Sequence, residues 1–156
     1  MRPDILFSVF ASVTGLPGVG PKIGKLIEKL AGPGIVDLFW HLPNGLIDRR
    51  YSPTIVEAQE GAIATLTVTV EKHSPSARRG LPYRIRCHDE TGVFTLVFFN
   101  GREDYLRKIL PEGEIRIVSG RLERYRDGFQ MTHPDHVGTL AEIDMIKTVE
   151  PVYPMT

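Results

Sequence analysis

The sequence predicts a mainly β fold in which short helices come first and strands follow. Three observations support this prediction. Apolar residues recur at helical spacing between Ile23 and Leu30, the hydrophobic period changes to two from Ile55 onward, and turn residues then divide the chain into short segments. Such a chain is long enough, at 156 residues, to bury a core.

The N-terminal third predicts three short helices, at about residues 4–14, 21–30 and 36–41. Asp4 is the candidate N-cap of the first helix. Pro21 suits the first turn of the second helix, where a missing N–H costs nothing. Residues 44–53 are expected to be an exposed connection.

Five strands and one more helix are predicted after that connection. Alternation between small or apolar residues and threonine marks the first strand, with Thr65, Thr67 and Thr69 expected to face solvent. A tight turn with positive φ at Gly92 is expected between the second and third strands. Asp127-Gly128 predicts another hairpin turn before the last strand. The strands are expected at 62–70, 83–88, 93–100, 114–123 and 129–133, and the helix at 103–110.

Five strands with a helix between the third and fourth is the order of an OB-fold, a small Greek-key barrel. We therefore predict a helical, helix-hairpin-helix-like segment at 1–53, an OB-fold domain at 54–138 and an extended tail at 139–156.

OB-folds bind oligonucleotides or oligosaccharides on the face of strands two and three, between the loops that join strands 1–2 and 4–5. On the second strand Tyr83, Ile85 and Cys87 are expected to point inward. The outward positions and the two loops supply a basic and aromatic set, which suits nucleic acid: Arg84, Arg86, His88, Phe99, Arg78, Arg79, Arg124, Tyr125 and Arg126.

Each of these residues also has a simpler interpretation. An isolated outward arginine often only makes a strand soluble, and the case for binding is that three clusters converge on one predicted surface. Phe99 is the sharper signal, because an aromatic on the polar face is well placed to stack on a base. Phe98 is expected in the core, because neighbouring residues of a strand point to opposite faces. Tyr105 either packs beneath Phe99 or stands beside it as a second platform.

Composition narrows the possible functions. Basic and acidic residues number 19 each, so net charge does not favour a polyanionic partner, but five basic residues and no acid lie between Glu71 and Asp89. The single cysteine, Cys87, excludes an internal disulfide and agrees with a reducing cytoplasm. No stretch has the length of a membrane span or the pattern of a secretory signal.

No catalytic, cofactor or metal site stands out. The glycines between Gly15 and Gly20 have P-loop spacing, but Pro21-Lys22-Ile23 replaces the required Gly-Lys-Ser/Thr. They suit instead either close packing of helices or a helix-hairpin-helix turn at which Lys22 meets a DNA phosphate. The His133-Pro134-Asp135-His136 run favours a structural role over metal binding, and Cys87 is expected to be an inert core residue.

Six motifs occur in the order seen in the RecG family of bacterial ATP-dependent DNA helicases, and the resemblance covers essentially the whole chain. They are Leu-Pro-Gly-Val-Gly-Pro-Lys, Asp-Leu-Phe-Trp-His-Leu-Pro with Asp48-Arg49 after it, Asp-Glu-Thr-Gly, Val-Phe-Phe-Asn, Gln-Met-Thr-His-Pro and Val-Tyr-Pro-Met-Thr. The chain thus resembles the N-terminal wedge region of these enzymes, which remodel stalled forks and branched DNA.

The resemblance implies a role for each part. Phe99 would cap the exposed base pair at the branch point, with Tyr105 as a second stacking residue. ATP and Mg²⁺ would bind motor domains that are absent from this sequence, so this chain itself would not be an enzyme. The implied partners are forks, three-way and four-way junctions, and single-stranded DNA-binding protein, for a monomer in the bacterial cytoplasm at the nucleoid.

One departure from the family concerns residues 44–47, Asn-Gly-Leu-Ile, which replace a basic and aromatic run. Another is the spacing of Gly101 to Asp104, which weakens the assignment of Tyr105. Three other functions stay open: a general single-strand-binding barrel, a protein-docking barrel whose arginines meet an acidic partner, and a carbohydrate-binding barrel, for which this face offers few aromatics.

Overall fold

The computed structural model describes residues 3–126 and 128–155, and the chain clusters into two compact units. One contains the residues up to Leu46 together with those from Pro151 onward, and the other is Ile47–Glu150. These limits differ from the predicted boundaries after residues 53 and 138. Among the described residues, no helix combines the length and the hydrophobicity needed to cross a membrane.

The first unit contains two α-helices, α1 (Pro21–Leu30) and α2 (Ile35–Trp40), close to the predicted second and third helices. The predicted helix at 4–14 is wrong. Only two 3-10 turns form there, at Asp4–Leu6 and Val13–Gly15, and Pro3 rather than Asp4 precedes the first. The reason is a non-local pairing: Val13 N–H donates to the Pro33 carbonyl, and the Ile35 N–H donates to that of Ala11, which requires an extended backbone.

The described strands and the remaining helices follow in chain order. They are β1 (Gly45–Asp48), β2 (Ile63–Ser74), β3 (Tyr83–His88), β4 (Val93–Phe98), α3 (Glu103–Ile109), β5 (Ile115–Arg121), β6 (Glu123–Tyr125), β7 (Gly128–Thr132), β8 (His136–Gly138), α4 (Ile143–Ile146) and β9 (Val149–Val152). The predicted strands correspond to β2, β3, β4, β5 with β6, and β7. The predicted helix between the third and fourth strands is α3.

The pairing of β2 to β7 closes a barrel. β2 is antiparallel to both β3 and β5, β3 is antiparallel to β4, and β4 is parallel to β7. β7 is antiparallel to β6, and only Leu122 separates β6 from β5. The ladder therefore runs round to its start, as the predicted OB-fold requires. Asp127 lies outside the described residues, so the turn predicted there is not characterised.

The inward face of the barrel follows the predicted alternation. Tyr83, Ile85 and Cys87 on β3 are buried, as are Phe94 and Leu96 on β4. Burying a side chain such as leucine contributes about 1.5–3 kcal/mol. The alternating residues of β2 complete this core with others from β5, α3 and β7: Ala64, Leu66, Val68, Val70, Val118, Leu106, Leu110 and Met131.

The turn between β3 and β4 forms where predicted but by another mechanism. Gly92 does not have a positive φ. Instead the Asp89 carboxylate accepts hydrogen bonds from the Thr91 hydroxyl and from the N–H groups of Ile55, Thr91 and Gly92. Burial raises the pKa of Asp89 and these hydrogen bonds lower it, with a net shift below its ordinary value. A Cβ at position 92 would lie 3.0 Å from Ile55 Cγ2, so the glycine lets Ile55 pack closely against the turn.

Arg49 contradicts the prediction that residues 44–53 form an exposed connection. Its side chain is only 3% exposed, and its guanidinium lies 2.9 Å from Asp135 Oδ2 and 3.1 Å from Glu150 Oε2. The segment runs along β2, where Thr65 N–H donates to the Tyr51 carbonyl and the Thr65 hydroxyl donates to the Arg49 carbonyl. Thr65, expected to face solvent, is therefore buried.

The tail after residue 138 is not simply extended. A 3-10 turn at Leu140–Glu142 leads into α4, and β9 pairs with β1 in a separate two-stranded sheet. The Glu142 carboxylate accepts from the N–H and hydroxyl of Thr139 and fixes the start of this segment. The boundaries of the two units fall inside β1 and β9.

Replacing Arg49 tests whether this buried cation stabilises the barrel unit. Arg49→Met should lower the free energy of unfolding by about 2–3 kcal/mol, because two carboxylates lose their partner and remain only half exposed. Arg50→Met is the matched control: Arg50 pairs with Asp48 in solvent, so its loss should leave the free energy of unfolding nearly unchanged. Urea denaturation of the chain measures both. Equal costs for the two variants would contradict a special role for Arg49.

Candidate nucleic-acid interface

Arg84, Tyr125 and Arg126 form one cluster on the outer face of the barrel, which we call the arginine–tyrosine stack. Both guanidinium carbons lie 5.3 Å from the centre of the Tyr125 ring. Arg84 extends from β3, and β4 and β7 separate it from Tyr125 in the sheet. The structure thus brings together a residue of the second predicted strand and two from the predicted 4–5 loop, although Tyr125 itself lies in β6.

A groove of about 350 Å³ runs beside this stack, lined by side chains of β3, β4, β6 and β7. Its walls mix cations, aromatic rings and an amide, which are the groups that stack on bases or hydrogen-bond to them. The principal lining residues are Arg84, Arg86, Val93, Tyr125, Phe129 and Gln130.

Glu123 lies on the same face and was not predicted as a site residue. Its Oε2 accepts from Gln130 Nε2 at 3.2 Å and from the Thr132 hydroxyl at 3.0 Å. The sequence indicates this position only through strand alternation: Glu123 and Tyr125 are two residues apart in one strand and so lie on the same face. Because a carboxylate here repels phosphate, a DNA backbone would run past the nearby arginines and not over Glu123.

Carboxylates partly neutralise the predicted basic face. Arg86 Nε lies 2.9 Å from Glu71 Oε2, and Arg124 Nε lies 3.9 Å from Glu60 Oε2 while its guanidinium covers the Phe129 ring. Among the described residues, four of the predicted arginines form no ion pair within 4 Å and are the cations best placed to meet phosphate: Arg78, Arg79, Arg84 and Arg126.

Phe99 follows the last residue of β4 and is 47% exposed. Its N–H donates to Nε2 of His133 at 3.1 Å, and the two rings lie 5.9 Å apart. His133 also lies edge-on to Phe98, whose side chain packs on the barrel core as expected. His133, considered from sequence only as a weak metal ligand, therefore holds the backbone at Phe99.

The two loops lie at opposite ends of β4. Tyr83 pairs with Phe98, so the loop that carries Arg78 and Arg79 lies at the same end of the sheet as Phe99. Phe94 pairs with Phe129, which places the β6–β7 hairpin at the other end of β4. The outer face thus extends from the arginine–tyrosine stack to Phe99.

Tyr105 lies on α3 and is 60% exposed, so it is not packed beneath Phe99. Gly101 links β4 to this helix, and a Cβ there would lie 2.7 Å from Leu106 Cδ1. The glycine therefore lets Leu106 pack closely against the link between β4 and α3. Within the described residues Tyr105 forms no ring contact with Phe99, which leaves it as a separate exposed aromatic.

Two predicted residues are not among those that line the groove. His88 lines a different depression of about 510 Å³, together with Thr67, Thr69 and Asp89. Lys22 is exposed at the start of α1, in the other compact unit. Their proposed contacts with DNA stay predictions.

The glycines before α1 do not fit a nucleotide phosphate. Gly18 has a φ of 81°, but the Val13–Gly15 3-10 turn precedes it where a P-loop has a strand, and Pro21 begins the helix. His136, the other histidine of the 133–136 run, contacts the Glu150 carboxylate at 3.0 Å. In residues 3–126 and 128–155 no three His, Cys, Asp or Glu side chains are placed to hold a metal.

Known proteins are similar to the barrel alone in one case and to nearly the whole of this chain in another. Residues 60–136 match the family model of an OB-fold nucleic acid binding domain. RecG of Pasteurella multocida (strain Pm70), an ATP-dependent DNA helicase, is 24% identical over 92% of this chain. The chain is a homologue of part of RecG. The resemblance predicted from the sequence motifs is therefore confirmed.

A solved structure supports the same relationship at the level of the fold. RecG bound to a three-way DNA junction superposes with a TM-score of 0.74 and 20% identity, over 94% of this chain and 20% of that one. The predicted OB-fold is confirmed. The chain spans about a fifth of the length of both RecG proteins.

Cys87 should be unreactive in the folded protein. It is completely buried on the inward face of β3, and burial, with a smaller effect of Glu71, raises the pKa of its thiol to about 12. Since the thiolate is the reactive form, alkylation by iodoacetamide at pH 8 should be negligible without denaturant and complete in urea, where unfolding restores an ordinary pKa. Mass spectrometry measures the modification. Rapid modification of the native chain would contradict this packing.

Proposed function

We propose that this chain is the branched-DNA-binding wedge of a RecG-like ATP-dependent helicase that remodels stalled replication forks and recombination junctions. In this proposal the barrel sits at the branch point and separates the strands. Homology to RecG supports the assignment to this kind of helicase. The observation that carries the mechanism is Phe99, an exposed aromatic at the end of β4 whose backbone is held by His133.

Phe99 has the properties of a stacking residue. Nearly half of its ring is exposed, although its neighbour Phe98 packs on the core. Stacking on a base contributes about 1–3 kcal/mol and does not depend on the sequence. A ring at the end of a strand, supported from below by the barrel, would cap the last base pair as the duplex divides.

The arginines would hold the strands that leave the branch point. Arg84 lines the groove and Arg126 stacks on Tyr125 beside it, and neither has a carboxylate partner within 4 Å among the described residues. Arg78 and Arg79, at the Phe99 end of β4, also lack such a partner there. Phosphate contacts of this kind position DNA without reading its sequence. Glu123 would keep the phosphates at the edge of the groove and leave its floor to the bases.

The proposed division of labour assigns no chemistry to this chain. ATP and Mg²⁺ would be bound by motor domains elsewhere in the helicase, since the glycines before α1 do not fit a phosphate. Residues of this chain bind, orient and separate DNA while the motor moves it. We further propose that the protein is a monomer in the bacterial cytoplasm, associated with the nucleoid and with single-stranded DNA-binding protein.

A titration of DNA affinities tests the wedge. Phe99→Ala should lower affinity for a three-way junction by about 1–3 kcal/mol while affecting linear duplex less, because the junction exposes base-pair faces at its branch point in addition to those at its ends. Phe39→Ala is the matched control, since Phe39 is an exposed phenylalanine in the other unit. Fluorescence anisotropy with labelled DNA measures each affinity. Unchanged junction preference in Phe99→Ala would exclude the wedge mechanism.

Salt dependence in the same titration tests the arginines. Arg84→Ala should reduce the slope of log affinity against log salt by about one and weaken all DNA alike. Arg86→Ala should have a smaller effect because Glu71 already pairs with it. A flat salt dependence would favour the protein-docking barrel, and equal affinity for junctions and single strands of equal length would favour the general single-strand-binding barrel.

A further inference from the structure

We infer that His133 is a positioning residue that holds Phe99 in its stacking position, and that it does so only while its imidazole is neutral. This inference rests on the proposed function, because it assigns the exposed Phe99 ring to DNA. It extends that function from the stacking ring to the exposed histidine beside it. His133 comes from the Gln-Met-Thr-His-Pro motif, whose Gln130 lines the groove.

The backbone at position 99 depends on this histidine. Phe99 lies just beyond the end of β4, so its N–H has no partner in the β-ladder. Asn100 next to it has a φ of 61°, a conformation that non-glycine residues adopt rarely and at a cost. The hydrogen bond from Phe99 N–H to His133 Nε2 is therefore what fixes the chain where the ring leaves the sheet.

His133 is itself held firmly. Its N–H donates to the Val97 carbonyl, and its ring lies 6.0 Å from Phe98 in an edge-on arrangement and 5.9 Å from Phe99. Its φ is 47°, so the backbone turns sharply here to aim the imidazole at β4. Positive φ values thus occur at His133 itself and at Asn100, the residue after Phe99, so the chain turns on both sides of this hydrogen bond.

The direction of that hydrogen bond makes it sensitive to protonation. Nε2 accepts, so the proton of the neutral ring must be on Nδ1. A protonated imidazole carries hydrogen on both nitrogens and can only donate, so it would face the Phe99 N–H with a second donor. Imidazole is the side chain whose charge ordinarily changes between pH 5 and 8.

No charged group among the described residues forms an ion pair with His133. The rings of Phe98 and Phe99 contact it, Asp135 is engaged by Arg49, and the Glu123 carboxylate accepts from Gln130 and Thr132. The titratable and charged residues of α3, the element that follows Phe99, form no ion pair with His133 either: Glu103, Asp104, Tyr105, Arg107 and Lys108.

The experiment compares affinity for a three-way junction with affinity for linear duplex from pH 5.5 to 8, which cancels general effects of protein charge on DNA binding. In the unaltered chain the ratio should fall by roughly two- to tenfold as the pH drops, the range expected for loss of one hydrogen bond. His133→Leu should show the reduced ratio at every pH. His133→Gln, whose side-chain oxygen can accept without titrating, should keep a high ratio across the range.

Two controls separate this inference from the function on which it rests. His136→Gln makes the same change three residues away and removes only a contact with Glu150, so its pH profile should match that of the unaltered chain. Phe99→Ala should remove the preference for the junction, so that the ratio of the two affinities is low at all pH values. If it does and His133→Leu behaves like the unaltered chain, the positioning role is refuted while the wedge stands. If Phe99→Ala keeps the ratio, the proposed function itself fails.

A spectroscopic measurement covers the case in which His133→Leu is unstable. In a ¹H–¹⁵N spectrum of the unaltered chain, the Phe99 amide resonance should shift with pH together with the His133 ring, because protonation removes its acceptor. The same resonance in His133→Gln should not titrate. A Phe99 amide that is insensitive to pH while His133 titrates would overturn the inference.

Discussion

The parallel pairing of β4 with β7 is the constraint on which the proposed interface depends. It aligns Phe94 to Val97 with Phe129 to Thr132 and thereby closes the barrel. The same register carries the residue after β7, His133, to the end of β4, where Phe99 needs a hydrogen-bond acceptor. At the opposite end it places the β6–β7 hairpin over the outer face, so that Tyr125 meets Arg84.

The barrel separates the residues proposed to bind DNA from the residues that stabilise the fold. The outer face, which holds the proposed interface, carries arginines without an ion pair among the described residues and an exposed aromatic, and neither contributes much to stability there. Stability comes instead from the alternating inward residues and from polar contacts at the edges, such as the buried Arg49 between Asp135 and Glu150. The outer face is therefore free to serve binding, and substitutions there should change affinity more than folding.

Much of this architecture could be predicted because it depends on local pattern. Alternation identified β2, β3 and β4, and parity separated Phe98 from Phe99. Long-range pairing could not be predicted in the same way. Nothing near Arg49 indicates that carboxylates about 86 and 101 residues later in the chain surround it, and no local signal pairs Glu71 with Arg86 or His133 with Phe99. The first predicted helix failed for the same reason.

Photo-crosslinking from position 99 tests the central claim most directly. Phe99 would be replaced by the photoreactive analogue p-benzoylphenylalanine, and the crosslinked nucleotides of a three-way junction would be mapped by primer extension. The account predicts crosslinks concentrated at the branch point. Crosslinks spread evenly along the arms, or equal to those from the same analogue at Phe39, would contradict it.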